Sequence, residues 1–247
     1  MNDYRKPPTT IEEIEAEMVL VEPFEDDRTL ENDMVFAGWS DKERSPELSK
    51  LPYDGIYVNR FLVTQALWEE VLGKRRWSFA HPEKPATGIS YEDCIEFLEV
   101  LNKRLETKDK DAFRLPYVKE WRFVAFGGKY RDKYFSPNVE EAAIIGNNSF
   151  DELGHCALKY PNLYGLYDMG GNATEWCQFF PFPNQSKWSY PSVGSGYNSY
   201  FYSSDLTDLD LPPFGHFLLY RGLSGDRNSF RGRQGLRLFR SYFRDVN

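Results

Sequence analysis

The chain contains little cysteine, with three residues of that type among 247. Their number is odd, and their spacing matches no zinc-ligand pattern, so a structural zinc site is not expected. Cys94 lies in an amphipathic pattern of helical spacing, and we expect it to be buried. Cys156 and Cys177 either remain free thiols or form a disulfide, and the spacing alone leaves both possibilities open.

Histidine is equally scarce, with three residues in the chain. His81, His155 and His216 are far apart in the sequence and fit no metal-binding spacing. We therefore expect each of them to be a loop residue or a structural histidine. A Ser/His/Asp triad is not excluded, but no segment resembles a nucleophile elbow.

The chain also lacks long apolar runs and an excess of basic residues. No segment approaches the length of about 20 apolar residues that a membrane-spanning helix needs, and the N-terminus has no apolar signal core. The net charge of −8 disfavours a broad phosphate-binding surface. We therefore expect a cytoplasmic protein that binds neither membranes nor nucleic acids.

Arginine is concentrated near the C-terminus of this acidic chain. These arginines either pair with carboxylates along strands or form an anion pocket. The run consists of Arg221, Arg227, Arg231, Arg233, Arg237, Arg240 and Arg244.

Aromatic residues are abundant, at 17% of the chain, and they predict a core built from large rings. The length allows one sizeable domain. Residues 1–17 form a polar N-terminal segment, and residues 18–247 contain no repeat and no linker that would divide them. We therefore expect a single domain over 18–247.

Local patterns predict two strands, one short helix and three longer helices before residue 130. The strands are Met18–Val21 and Ile56–Val63, and a short helix is predicted to begin at the Thr10/Glu13 capping pair. Thr64 is predicted to cap a helix that Gly73 ends, Ser90 is predicted to cap a second helix, and a third is predicted over Val118–Phe126. After residue 130, turns and short β-like runs dominate, with two such runs at Phe217–Tyr220 and Leu236–Arg240. The fold class is therefore α+β with high irregular content.

A glycine-rich turn between Tyr164 and Cys177 carries a cluster of oxygen donors. Its glycine pair permits positive φ and a close backbone approach. Asn172 and Glu175 offer side-chain oxygens on either side of the Ala173 carbonyl, and Asp168 either assists or caps the turn. Hard oxygens in such a set suit Ca²⁺, although they can also satisfy backbone amides.

Six motifs in order resemble the formylglycine-generating enzyme family, also called sulfatase-modifying factor domains. The most specific are the turn GLYDMGGNATEW and the block FRLP followed by EWRFVA and GG. The others resemble the family's opening strand, its first two helix starts, and its closing "RGGS" and "GFR" strands. The matches run across residues 18–240, and their segments are Met18–Val21, Phe61–Trp68, Pro85–Arg104, Phe113–Gly128, Tyr164–Trp176 and Arg221–Leu238.

The resemblance implies a C-type-lectin-like fold with small antiparallel sheets, which serves as an enzyme in some members and as a binding scaffold in others. It implies a structural calcium site at Asn172, Ala173 and Glu175. It also implies a second site near Gly146–Asn148, but the downstream acid of that site is not clearly present here. Arg221 and Arg237 would mark the strands that close the fold.

The family's cysteine oxidation needs a cysteine pair between its closing motifs, because soft sulfur ligands bind copper. Residues 224–234 contain no cysteine. We therefore expect no copper and no cysteine oxidation. The family's iron-dependent branch needs a histidine-rich site with an added helical domain, which three scattered histidines do not supply.

The composition of the C-terminal third suggests a recognition surface. Tyrosine, serine, asparagine and glycine are concentrated there, as in adaptable binding surfaces, although the tyrosines could instead pack a core. We expect a non-catalytic protein that presents this surface to a protein or glycan. It could be the variable protein of a diversity-generating retroelement, whose gene is mutated at adenines, or an inactive sensor or adaptor. The alternative is a metal-dependent oxidoreductase with a non-standard site. The predicted partner-binding residues are Trp188, Tyr190, Tyr197, Asn198, Tyr200, Tyr202, Asp205, Phe214, His216, Arg227 and Arg231.

Overall fold

The computed structural model describes nine parts of the chain: residues 5–22, 54–77, 81–125, 139–144, 149, 152–178, 190–194, 221–224 and 234–244. The strands are β1 (Met18–Val21), β2 (Gly55–Leu62), β3 (Thr174–Trp176), β4 (Tyr190–Val193), β5 (Arg221–Ser224), β6 (Gln234–Gly235) and β7 (Arg237–Tyr242). The helices are α1 (Gln65–Leu72), α2 (Tyr91–Arg104), α3 (Val118–Ala125) and α4 (Val139–Ala142).

Two small sheets organise the described residues. The first has the order β1-β2-β7 and is antiparallel, with Val19 opposite Val58 and Ile56 opposite Ser241. It therefore joins the two ends of the domain. The second has the order β5-β4-β3-β6 and is antiparallel except for the parallel pair β3–β6. The expected α+β class with small sheets is confirmed, and the parallel pair is an addition to it.

The predicted helix boundaries agree with the structure because they depend on local capping chemistry. The Oγ1 atom of Thr64 accepts a hydrogen bond from the backbone N–H of Leu67, and Gly73 ends α1 with φ of 65°. Ser90 caps α2. The third predicted helix is α3, which is described over Val118–Ala125, and Phe126 lies outside the described residues.

The short helix predicted from Thr10 does not form as an α-helix. The Glu13 carboxylate does accept the Thr10 backbone N–H at 3.2 Å, as in a capping box. It also accepts both the N–H and the hydroxyl of Thr9. The chain then makes a turn and a 3₁₀ helix at Glu15–Glu17 before it enters β1. With only a few residues before the strand, the segment is too short to propagate a helix.

Removal of the α2 cap should lower the free energy of unfolding by about 1 kcal/mol. The Ser90 hydroxyl accepts the Asp93 N–H at 3.1 Å, and the Asp93 carboxylate accepts the Ser90 N–H at 2.7 Å. Urea unfolding of Ser90→Ala should show this loss. Ser90→Thr, which retains a capping hydroxyl, should keep most of the stability, and an equal loss in both variants would contradict the capping role.

The main hydrophobic cluster packs α1 and α2 against residues from both sheets. Trp68 and Phe97 are stacked with ring centroids 4.8 Å apart, and Trp176 of β3 and Leu238 of β7 are buried in the same cluster. A smaller cluster lies beside β2, where Phe61 stacks on Tyr167 at 5.1 Å. The aromatic core predicted from composition is confirmed, and it places the glycine-rich turn between the two sheets.

Candidate functional site

The glycine-rich turn does not use its glycine pair for positive φ. Asp168 (φ 60°) and Asn172 (φ 66°) adopt the left-handed conformation, which asparagine and aspartate tolerate better than most residues. Gly171 instead provides a close approach, because a Cβ atom at that position would collide with the Ile144 carbonyl oxygen. The same carbonyl accepts the Asn172 N–H at 2.7 Å. The turn is therefore fixed against the segment around Ile144.

A buried ion pair joins the two sheets behind this turn. Arg237 of β7 and Glu175 of β3 are buried, with side-chain exposures of 0% and 1%. The Nε and Nη2 atoms of Arg237 donate to the Glu175 carboxylate at distances of 2.8 to 3.1 Å. Nη1 donates to the carbonyls of Asn59 and Arg60 on β2, and Nη2 also donates to the carbonyl of Tyr167. The predicted structural role of Arg237 is confirmed.

Trp121 of α3 extends this buried centre toward β4. Its indole N–H donates to the Glu175 carboxylate at 2.7 Å. The edge of its ring lies against Gly194, where an added Cβ atom would be 3.2 Å from the ring and where φ is 80°. The residue that follows β4 thus rests directly on the ion-pair centre.

Asp168 introduces a second buried carboxylate beside the ion pair. Its Oδ2 accepts the Ala157 N–H at 3.0 Å, and its buried Oδ1 has no hydrogen-bond partner. Burial raises the pKa of Asp168 to about 6, and the Glu175 charge adds to the rise. The Ala157 amide, Arg237 and the Asn172 side chain act in the opposite direction on that pKa. One arginine therefore faces two carboxylates, and protonation of Asp168 makes the three groups neutral together.

The predicted calcium ligands do not fit a calcium ion in this arrangement. The Glu175 carboxylate is taken up by Arg237 and Trp121. The Asn172 side chain is paired in both directions with the backbone of Gly154, at 3.0 and 3.3 Å. Ala173 lies between them and is buried. Asn172 therefore hydrogen-bonds to the backbone, and Glu175 pairs with Arg237. The Gly146–Asn148 segment, where a second site is expected, falls outside the described residues.

The three cysteines are free and fully buried. The burial predicted for Cys94 is confirmed. The suggested disulfide between Cys156 and Cys177 is wrong, because Cys156 packs beside β2 while Cys177 follows β3. Burial raises the pKa of the Cys94 and Cys156 thiols well above the usual value, so the reactive thiolate is disfavoured at both positions.

Two of the histidines are not separated in space as their sequence positions suggested. The rings of His81 and His155 are in contact, with centroids 4.0 Å apart. The sequence pattern gives no signal for this contact, because the two histidines are 74 positions apart. Within the described parts of the chain, no three His, Cys, Asp or Glu side chains form a group that could hold a metal ion. His216 falls outside the described residues.

Most of the predicted partner-binding residues lie outside the described residues. Tyr190 is the exception at the level of the backbone, since it begins β4 and pairs with Ser224 of β5. The structure does show where the tyrosine-rich segment is attached. Val193 of β4 is paired with Arg221 of β5, so residues 195–220 begin and end at neighbouring positions of one strand pair. The undescribed partner-binding residues are Trp188, Tyr197, Asn198, Tyr200, Tyr202, Asp205, Phe214, His216, Arg227 and Arg231.

Comparison with known families accounts for this architecture. The model of the sulfatase-modifying factor enzyme 1-like domain matches residues 13–237. The chain belongs to that family. The match includes the glycine-rich turn and ends at Arg237, so both members of the buried ion pair lie within the family domain. No helix among the described residues is long and apolar enough to cross a membrane.

Relatives in this family differ in what their names describe. The chaperone protein LppX of Paenibacillus barcinonensis is 24% identical, over 75% of this chain and 80% of the relative. The formylglycine-generating enzyme of Thermomonospora curvata is 26% identical, over 47% of this chain and 40% of the enzyme. The solved structure of Treponema denticola variable protein 1 superposes with a TM-score of 0.59 at 18% identity, over 76% of this chain and 85% of that protein. This last likeness shows the fold alone.

Proposed function

We propose that this chain is a non-catalytic binding protein that presents residues 188–231 to a protein or glycan partner. The observation that carries the proposal is the attachment of residues 195–220. They connect two adjacent, hydrogen-bonded strands whose ends already meet at Val193 and Arg221. Loops that join paired antiparallel strands usually have about 2–5 residues, and much longer connections are typical of functional loops or of linkers.

The residue at the start of this connection packs on the buried ion-pair centre. Gly194, at its root, rests on the Trp121 ring, and Trp121 is hydrogen-bonded to the Glu175–Arg237 ion pair. A recognition segment mounted on a fixed base loses less conformational entropy on binding. The residue types of the segment, with Tyr197, Tyr200 and Tyr202 among serines and asparagine, suit adaptable recognition.

The distribution of cysteine argues against the family's oxidation reaction in this chain. No cysteine follows Cys177, so the closing segment offers no thiolate for copper. The three thiols that exist are buried in the core. Free thiols accord with the reducing cytoplasm that we propose as the location. The alternative, an oxidoreductase with a non-standard site, would reveal itself by turnover with copper or iron and a cysteine-containing peptide.

Two forms of the binding role are supported by relatives. The name of LppX, a chaperone, favours a protein as the partner. The fold shared with a variable protein favours a segment whose sequence is diversified by a retroelement. Neither the protein-binding form nor the diversified form of this role requires calcium. The net charge of −8 disfavours nucleic acid as the partner.

The double variant Tyr200→Ala/Tyr202→Ala should abolish partner binding while leaving the fold intact. Aromatic anchors dominate binding energy, and each truncation of an anchor costs about 2 kcal/mol or more. Affinity capture from the source organism, with bound proteins identified by mass spectrometry and glycans by array, measures the effect. Thermal unfolding of the same sample tests the fold.

Tyr160→Ala is the matched control, because Tyr160 is 52% exposed on a different loop. It should retain the partner that the double variant loses. Equal capture by all three proteins would contradict the proposal. A strongly lowered melting temperature of the double variant would place its tyrosines in the core and contradict it as well.

A further inference from the structure

Contact between two histidines joins two loops that are distant in the sequence. The rings of His81 and His155 are 4.0 Å apart between centroids and tilted by 45°. The side chain of His155 is 35% exposed, so protons from solvent can reach it. His81 has a buried Nδ1 atom with no hydrogen-bond partner.

Backbone hydrogen bonds beside the rings hold the same two loops together. The His81 N–H donates to the Gln65 side-chain oxygen at 2.9 Å, which ties the first loop to the start of α1. The Cys156 N–H donates to the Glu83 carbonyl at 2.9 Å, which ties the second loop to the first. Cys156 is fully buried beside the Leu62 carbonyl. Separation of the loops would therefore remove the amide partner of Cys156 and uncover it.

The groups around His155 act on its protonation in opposite directions. The Glu83 carboxylate lies 3.7 Å from Nδ1 of His155 and favours its protonated form. Burial, then His81, then Lys84 act the other way, and the pKa of His155 is lowered below 6.5. Folding thus favours the neutral form of His155. Its contribution to stability is present above pH 6.5 and is lost as the pH falls through the lowered pKa.

We propose that the His81–His155 contact is an acid-operated latch: protonation of His155 drives the 81–84 loop away from residues 155–156 and exposes the Cys156 thiol. The proposal is independent of the binding function, since it concerns neither residues 188–231 nor a partner. An imidazolium at His155 is disfavoured while the contact is closed, by burial and by the His81 and Lys84 side chains beside it, and Glu83 offsets this only in part. Cys94 lies in the main hydrophobic cluster with α1 and α2, whereas Cys156 lies in the smaller cluster beside β2. We therefore expect Cys94 to stay buried when the latch opens.

The test is pulsed labelling of the full chain with 4,4′-dithiodipyridine from pH 7.5 to pH 5, with EDTA present to exclude metal bridging. Peptide mapping assigns the label to each cysteine, and Cys94 in the same sample reports global unfolding. The ratio of Cys156 to Cys94 labelling should rise about tenfold with acid, the change that one pKa unit of coupling produces.

Two variants make the proposal specific. His155→Gln should remove the acid response. Glu83→Gln should move its midpoint to lower pH, because His155 loses the counter-charge that favours its protonated form; a merely structural role of Glu83 would not shift the midpoint. A parallel rise at Cys94, a flat ratio in the native protein, or an unmoved midpoint in Glu83→Gln would overturn the latch.

Discussion

Replacing Arg237 with leucine is expected to lower the free energy of unfolding by about 3–5 kcal/mol. The change leaves the Glu175 carboxylate without its cation inside the core. It also removes the donors for the carbonyls of Asn59, Arg60 and Tyr167. Because small domains have about 5–15 kcal/mol in total, the variant should be close to unfolded at 37 °C. Urea unfolding followed by tryptophan fluorescence measures the loss.

Arg244→Leu is the control for this experiment. Arg244 follows the same strand, but its side chain is 64% exposed and lies 3.5 Å from Glu22. Exposed pairs contribute about 0–1 kcal/mol, so the control should be nearly as stable as the native chain. The double variant Arg237→Leu/Glu175→Leu should lose less than the sum of the two single changes, since neither charge is then left alone. Equal stability of the Arg237 and Arg244 variants would contradict the ion-pair centre.

Asp168→Asn is expected to stabilise the protein at pH 8 by about 1–3 kcal/mol. The pKa of Asp168 is about 6 in the folded state against 3.8 as its ordinary value. Folding therefore binds a proton between these values. The stabilising contribution is complete below pH 3.8 and is lost as the pH rises through 6, to a total of about 3 kcal/mol. Asparagine retains an oxygen for the Ala157 N–H, tolerates the positive φ and carries no charge.

The measurement is the free energy of unfolding between pH 4.5 and pH 8, with chelator and with calcium. Asp168→Asn should gain stability relative to the native protein as the pH rises. Asp93→Asn is the control, and it should lose stability relative to the native protein as the pH rises. Despite the partial burial of Asp93, its Ser90 and Arg76 contacts hold the pKa of its carboxyl below the usual value. Loss of stability in Asp168→Asn at pH 8, or stabilisation of the native protein by calcium alone, would show that the charged carboxylate serves a cation.

Local chemistry made the early part of the fold predictable. Thr64 and Ser90 supply the capping hydroxyls, and Gly73 can adopt positive φ without strain. The limits of these helices can therefore be inferred from short stretches of sequence. The strands around Met18 and Ile56 followed from apolar patterning. The Thr10 segment departs from its prediction because the nearby strand limits how far a helix can extend.

Long-range chemistry could not be inferred in the same way. Glu175 and Arg237 are 62 positions apart, so their pairing needs the two sheets to form first. The sequence predicts a calcium site at the oxygen-rich turn, and it gives no signal that an arginine reaches Glu175. The contact between His81 and His155 is likewise produced by the fold. The partner-binding role of the C-terminal residues stays a prediction. Of these residues the structure gives only the backbone position of Tyr190, in β4.

Sequencing codons 160–240 across a natural population of the source organism tests the central claim most directly. If residues 188–231 form the recognition surface, substitutions should concentrate there, at adenine-containing codons in the retroelement form of the proposal. Glu175, Gly235 and Arg237 should remain unchanged as the framework beneath it. Substitutions spread evenly over the exposed surface, or a segment as invariant as the ion-pair centre, would contradict a diversified recognition surface and leave a fixed partner or an unrecognised reaction.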